Sequence, residues 1–294
     1  MSFDPAAPAL QKVWDWRAAG NFIGGGTGTG LLLVTAVAAL TGTAVLVPSL
    51  VGLAFVAAGL SLVWLEIGRP LRALHVFFHP QTSWMTREAA VAGPLMLVGL
   101  LTLWLKWYGL SLLLGLLAAT FLYCQARILH ASRGIPVWRT PRIVPLIVST
   151  GLLEGSAIFL VLLPWLPSES LTDAARVAQV LLLAFAILRF GAWRAYRSGL
   201  EGDAPLAALA VLKNAESVVT LIGTAAPVLM VIGALMVPAY SIELGVAAGL
   251  LAAISGWFLK FIIVTRASYN QGYALAHTPA RGGGRPGPGT KPGW

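Results

Sequence analysis

The ionisable residues at the edges of long apolar runs are where this sequence could do chemistry. Glu66 closes one run in Trp64-Leu65-Glu66-Ile67-Gly68-Arg69-Pro70, and Glu88 opens the next after Ser83-Trp84-Met85-Thr86-Arg87. A carboxyl group at the edge of hydrocarbon is suited to taking up and releasing a proton. Quinol oxidation needs such a group, because two protons leave with two electrons. Each glutamate could instead pair with Arg69, Arg72 or Arg87. An acid near a helix N-terminus, as at Glu88, is also favourable without any function. At Glu66 the helix dipole opposes the charge, which points toward function.

Other polar groups occupy similar positions. Asn21, at the start of the first run, can donate to a quinone carbonyl; Arg17 could do the same or hold a phosphate headgroup. Tyr123 could hydrogen-bond a quinone, although interfacial tyrosines are common. Glu154, halfway along the fifth run, is the deepest acid; it is expected to be protonated, paired with a residue such as Arg189, or part of a proton path. Glu216 reads as a first-turn helix residue. His75 and His79 have i,i+4 spacing and could bind a metal if helical, but no third ligand lies near them in sequence. The four histidines avoid the middle of every run, so axial ligands for a transmembrane haem are not evident. Cys124 is the only cysteine, too few for an iron–sulfur cluster held by this chain alone.

The elements that must position these residues follow from composition. Of 294 residues, 57% are hydrophobic and 11% charged, with a mean hydropathy of +0.80. A soluble domain carries about 25% charged residues. A spanning helix needs about 20 apolar residues, and eight spans fit: Asn21–Thr43, Ser49–Ile67, Ala89–Lys106, Leu110–His130, Ile143–Leu163, Ala174–Trp193, Glu216–Val237 and Ile242–Thr265. The expected fold is all-α: a polytopic eight-helix bundle over residues 1–277, followed by a disordered Gly/Pro-rich tail, 278–294. Met1–Val13 lacks the apolar core of a cleavable signal. Gly24-Gly25-Gly26-Thr27-Gly28-Thr29-Gly30 lacks the Lys-Ser/Thr ending of a phosphate loop; small residues here suit close helix packing in lipid.

Charge sets the expected orientation. Eighteen of the twenty Lys and Arg residues fall on the face shared by the termini, leaving Lys106 and Arg176 opposite. Positive residues are retained in the cytoplasm, so both termini are expected there, in a cell's inner (cytoplasmic) membrane. Trp84, Trp138, Phe77 and Phe78 lie among these arginines and suggest contact with headgroups or with a docked protein.

The stretch Glu66-Ile67-Gly68-Arg69-Pro70-Leu71-Arg72-Ala73, with Ser83-Trp84-Met85-Thr86-Arg87-Glu88, resembles the dimethyl sulfoxide reductase anchor subunits. These belong with the polysulfide- and nitrite-reductase anchor superfamily. Trp14-Asp15-Trp16-Arg17-Ala18-Ala19-Gly20-Asn21-Phe22 is similar to the first-span start of polysulfide-type anchors. The likeness covers most of the chain, including Ala126-Arg127-Ile128 and Pro136-Val137-Trp138-Arg139-Thr140-Pro141. The resemblance implies a haem-free anchor that exchanges electrons between menaquinone or ubiquinone and a four-cluster iron–sulfur subunit. That subunit is wired to a molybdopterin catalytic subunit, so neither cluster nor molybdenum belongs to this chain. It implies Glu66 and Glu88 as proton-exchanging residues, with Glu66 standing where relatives have a histidine or an aspartate. Arg17, Asn21, Arg72 and Tyr123 are the expected quinone-binding groups; Asn21 replaces a histidine of polysulfide-type anchors. Expected partners are the bilayer, the quinone and the two subunits, with no nucleic acid. Sulfite, a CoA thioester or dimethyl sulfoxide would be substrate of the complex, not of this chain. A small-molecule transporter and a purely structural tether are the alternatives.

Overall fold

The computed structural model describes residues 7–43, 46–67, 75–106, 109–167 and 171–272. Arg69, Arg72 and the 278–294 tail lie outside the described residues. Among those described, eight helices are long and apolar enough to cross a membrane. They comprise α1 (Trp16–Ala39), α2 (Leu46–Ile67), α3 (Trp84–Leu105), α4 (Gly109–Ala131), α6 (Ile143–Leu162), α7 (Leu171–Ser198), a composite of α8 (Leu206–Ser217) and α9 (Ala226–Met236), and α10 (Ser241–Phe261). A single turn, α5 (Pro136–Arg139), lies between α4 and α6. The chain is a multi-pass helical membrane protein.

Small residues decide which helices touch. α1 and α6 are the most enclosed spans, and α1 carries glycine on more than one face. A Cβ on Gly24 would stand 2.7 Å from the Phe55 carbonyl oxygen, and one on Gly28 would be 2.5 Å from that of Gly52, both in α2. A Cβ on Gly30 would collide with the backbone of Gly151 in α6. With no hydrophobic force between helices in lipid, such close backbone approach supplies the van der Waals attraction.

Helix starts and ends follow local chemistry. Asp15 caps α1, accepting from the Arg17 backbone N–H at 2.8 Å, and Ser83 caps α3, accepting from that of Thr86 at 3.3 Å. Four of the helices run past their apolar windows. α1 starts at Trp16 rather than Asn21, and α3 at Trp84 rather than Ala89, making Glu88 its fifth residue. α7 spans Leu171–Ser198, and α8 begins at Leu206, ten residues before the predicted start. Glu216 is thus in the last turn of α8, not in a first turn, and faces Arg194 at 3.5 Å. A charge ends an apolar window but does not end a helix.

Both ends of the described chain meet on one face. Leu10 bridges Tyr269; the Gln11 N–H donates to the Ser268 carbonyl at 3.0 Å, and the Asn270 N–H to that of Ala9 at 2.9 Å. Trp138 contradicts its expected role. It is buried, stacks on Trp14 with ring centroids 4.8 Å apart, and donates its indole N–H to the Ile263 carbonyl at 2.9 Å. It is a core residue that ties α5 to the end of α10; Phe77 and Phe78 are exposed.

Candidate functional site

At the face that holds the chain ends, α1 begins, α2 ends, α3 begins and α4 ends. Between these four helix ends lies a cavity of about 230 Å³ lined by Trp14, Ala18, Asn21, Phe22, Val63, Glu66, Met85, Glu88 and Ile128. Its walls are mainly apolar. Asn21, Glu66 and Glu88 supply the polar side chains, one from each of three helices.

Two of these groups carry buried oxygens with nothing to bind. Asn21 Oδ1 and Glu88 Oε1 have no hydrogen-bond partner, and neither does Gln125 Oε1 behind them. Gln125 donates its amide to the Asn21 backbone carbonyl at 2.9 Å. Leaving a buried acceptor unmet costs about 1–3 kcal/mol. A ligand bringing O–H or N–H donors would satisfy both wall oxygens. Glu66 is only partly buried, so one acid faces the outside while the other is enclosed.

The remaining expected site residues sit elsewhere. Arg17 forms an ion pair with Asp15 at 2.9 Å and donates to the Leu65 carbonyl at 3.1 Å, fastening the start of α1 to the end of α2. It does not line the cavity. Its guanidinium and backbone N–H hold the Asp15 carboxyl below its ordinary value of 3.8. Tyr123 faces outward on α4, accepting from Arg127 at 2.8 Å and meeting Trp84 edge-on at 5.7 Å. Arg87 and Arg127 lie over the Trp84 ring, 4.2 and 4.4 Å from its centroid. This cluster braces α3 against α4 beside the cavity. Among the described residues no group of three or more His, Cys, Asp or Glu side chains could hold a metal ion.

A second polar cluster lies deeper. Glu154 Oε2 accepts from Lys260 Nζ at 2.6 Å and from Thr27 Oγ1 at 2.7 Å; Thr27 Oγ1 accepts from the Trp257 indole at 2.9 Å. Glu154 and Lys260 are fully buried. Glu154 pairs with Lys260, then, and not with Arg189. The Arg189 guanidinium donates to Ser255 and Thr224 and to the carbonyls of Val219 and Gly223. Those two carbonyls belong to the π-helical segment Val218–Ala225, which joins α8 to α9. Such a register frees backbone groups that an α-helix would use itself. Lys260 and Arg189, expected on the basic face, are inside the bundle.

Sequence reasoning did not single out Gln125, Lys260, Thr27 or Trp257. The signal for Lys260 was present: it is a lysine inside an apolar run, Trp257-Phe258-Leu259-Lys260-Phe261-Ile262-Ile263-Val264. Counting it with the basic face hid its partner. The fold and the site define a multi-pass membrane protein with an acid-lined cavity at one membrane face. No protein-family model matches the chain, and no curated protein matches it.

Proposed function

We propose that this chain is the quinone-reactive, haem-free anchor subunit of a molybdopterin/iron–sulfur oxidoreductase. The observation that carries the reading is the convergence of Asn21, Glu66 and Glu88, from three helices, on one apolar-walled cavity at a membrane face. Its size suits a single ring rather than a drug-sized ligand, which takes roughly 300–1,000 Å³. The unpartnered oxygens of Asn21 and Glu88 match the two hydroxyl donors of a hydroquinone. As electrons leave for a docked iron–sulfur subunit, one proton passes to Glu66 and one to Glu88. Arginines and the exposed Phe77 and Phe78 border the same face and suit a docked protein, on the cytoplasmic side by charge.

Purification in mild detergent should recover iron–sulfur and molybdopterin companions, and a short-chain quinone analogue should bind. Changing Glu66 to Gln should abolish quinol-linked turnover while the complex stays intact; unchanged turnover would favour a structural tether. A transporter is the second reading, favoured by the Glu154–Lys260 pair near mid-membrane. Against it, both side chains are fully enclosed and neither lines the cavity.

A further inference from the structure

The cavity's two acids differ in how they can unload a proton. Glu66 is partly exposed, whereas Glu88 is buried. While quinone fills the cavity and Glu66 holds the first proton, a proton received by Glu88 has no acceptor beside it, and polar groups lead from the cavity wall into the bundle. Glu88 shares the cavity wall with Asn21, whose backbone carbonyl accepts from the Gln125 amide at 2.9 Å. A Cβ on Gly26 would collide with Lys260 Nζ and stand 3.5 Å from Gln125 Oε1, so these two groups face each other across a residue with no side chain to separate them. Lys260 in turn holds Glu154 at 2.6 Å. Glu154 and Thr27 each lie eleven residues from the start of their helices, about 16 Å from that face at 1.5 Å per residue. Among the described residues the buried charged side chains are Glu88, Glu154, Arg189 and Lys260, two acids and two bases. Moving a proton among them leaves the interior's net charge unchanged.

We propose that the Lys260–Glu154 pair is a proton reservoir for the cavity, filled from Glu88 across Gln125 and emptied by the same route. This rests on the quinone reading. Oxidation of a quinol breaks two O–H bonds and releases two electrons to the docked iron–sulfur centre. One proton goes to the Glu66 carboxylate and on to water; the other goes to the Glu88 carboxylate. Glu88 then passes that proton inward to the Glu154 carboxylate along water admitted beside the Gln125 amide, while Lys260 remains an ammonium. Glu88 is thereby ionised again and ready for the next quinol. The stored proton returns through Glu88 and leaves by way of Glu66 once the cavity has emptied. For quinone reduction every step runs backwards.

Two variants test this in the intact complex. Gly26→Ala places a methyl group against the flexible end of Lys260 and displaces it from Gln125 without altering a charge or a cavity residue. Lys260→Met with Glu154→Gln removes both charges of the pair, so neither is left without its opposite. Each is assayed for binding of a short-chain quinone analogue and for electron transfer from decylubiquinol to an artificial dye. The expected result is unchanged binding, a fall in turnover of about tenfold, and recovery of most of the rate when acetic acid is added as a mobile proton carrier. Weakened binding, undiminished turnover, or a loss that acetic acid does not restore would overturn the reservoir and leave the cavity reading standing. Failure of the parent complex to bind the analogue would sink the cavity reading itself. Should the double variant not assemble, Gly26→Ala decides alone; failure of both to assemble makes the pair structural and overturns the proposal.

Discussion

Lys260 Nζ donates to Glu154 Oε2 across 2.6 Å between α10 and α6, with both side chains fully removed from the surface. A buried pair of this kind is weak evidence for stability, because desolvation opposes the attraction; removing one partner is a different matter. Lys260→Met alone should destabilise the detergent-solubilised protein by roughly 3–5 kcal/mol. Lys260→Met combined with Glu154→Gln should recover most of that loss. Thermal unfolding of the single and double variants checks the non-additivity.

Asn21→Ala should weaken binding of a quinone analogue by about tenfold, the worth of one net hydrogen bond at roughly 1–1.5 kcal/mol. Arg17→Ala should leave that affinity nearly unchanged, since Arg17 is occupied by Asp15 and the Leu65 carbonyl. Titration of the two variants side by side separates a cavity residue from a bracing one.

Two glycines one turn apart in α1 should respond oppositely to the same change. Gly26→Ala meets mainly the mobile tip of Lys260, whereas Gly30→Ala meets the Gly151 backbone. Gly26→Ala should assemble. Gly30→Ala must push α1 from α6, at a cost of 1–3 kcal/mol or more by the usual scale of overpacking (about that range). Yield and melting temperature in detergent distinguish them.

The α1 cap should be lost in acid. Asp15 sits below its ordinary value of 3.8 because Arg17 favours its charged form. Its stabilising effect is therefore complete above that ordinary value and disappears as pH falls through the lowered one. Protection of the first amides of α1, among them Arg17 and Ala19, relative to hydrogen exchange in an unstructured chain at the same pH should hold at neutral pH and be lost only below about pH 4. In Asp15→Ala the exchange should already be fast at neutral pH.

Orientation has a direct reporter. Alkaline phosphatase fused after the last residue should be inactive if both chain ends are cytoplasmic, as the positive-inside bias requires. High activity would reverse the membrane sidedness while leaving the shared face of the ends intact.

The membrane class, the eight spans and the acids at the edges of the spans were legible in the sequence, because hydrocarbon imposes length and charge exclusion on each segment separately. Glu66, Glu88 and Asn21 could be nominated for the same reason: each interrupts or borders an apolar run. Their meeting in one cavity was not legible, nor was the separation of Arg17 and Tyr123 from it, since these depend on how α1 to α4 are rotated against one another. Only the tertiary structure paired Glu154 with Lys260 in place of Arg189, and turned Trp138 inward. A segment's hydropathy records the solvent that surrounds it; the partner of a buried charge is decided by which faces the glycines of α1 and α10 allow to come close.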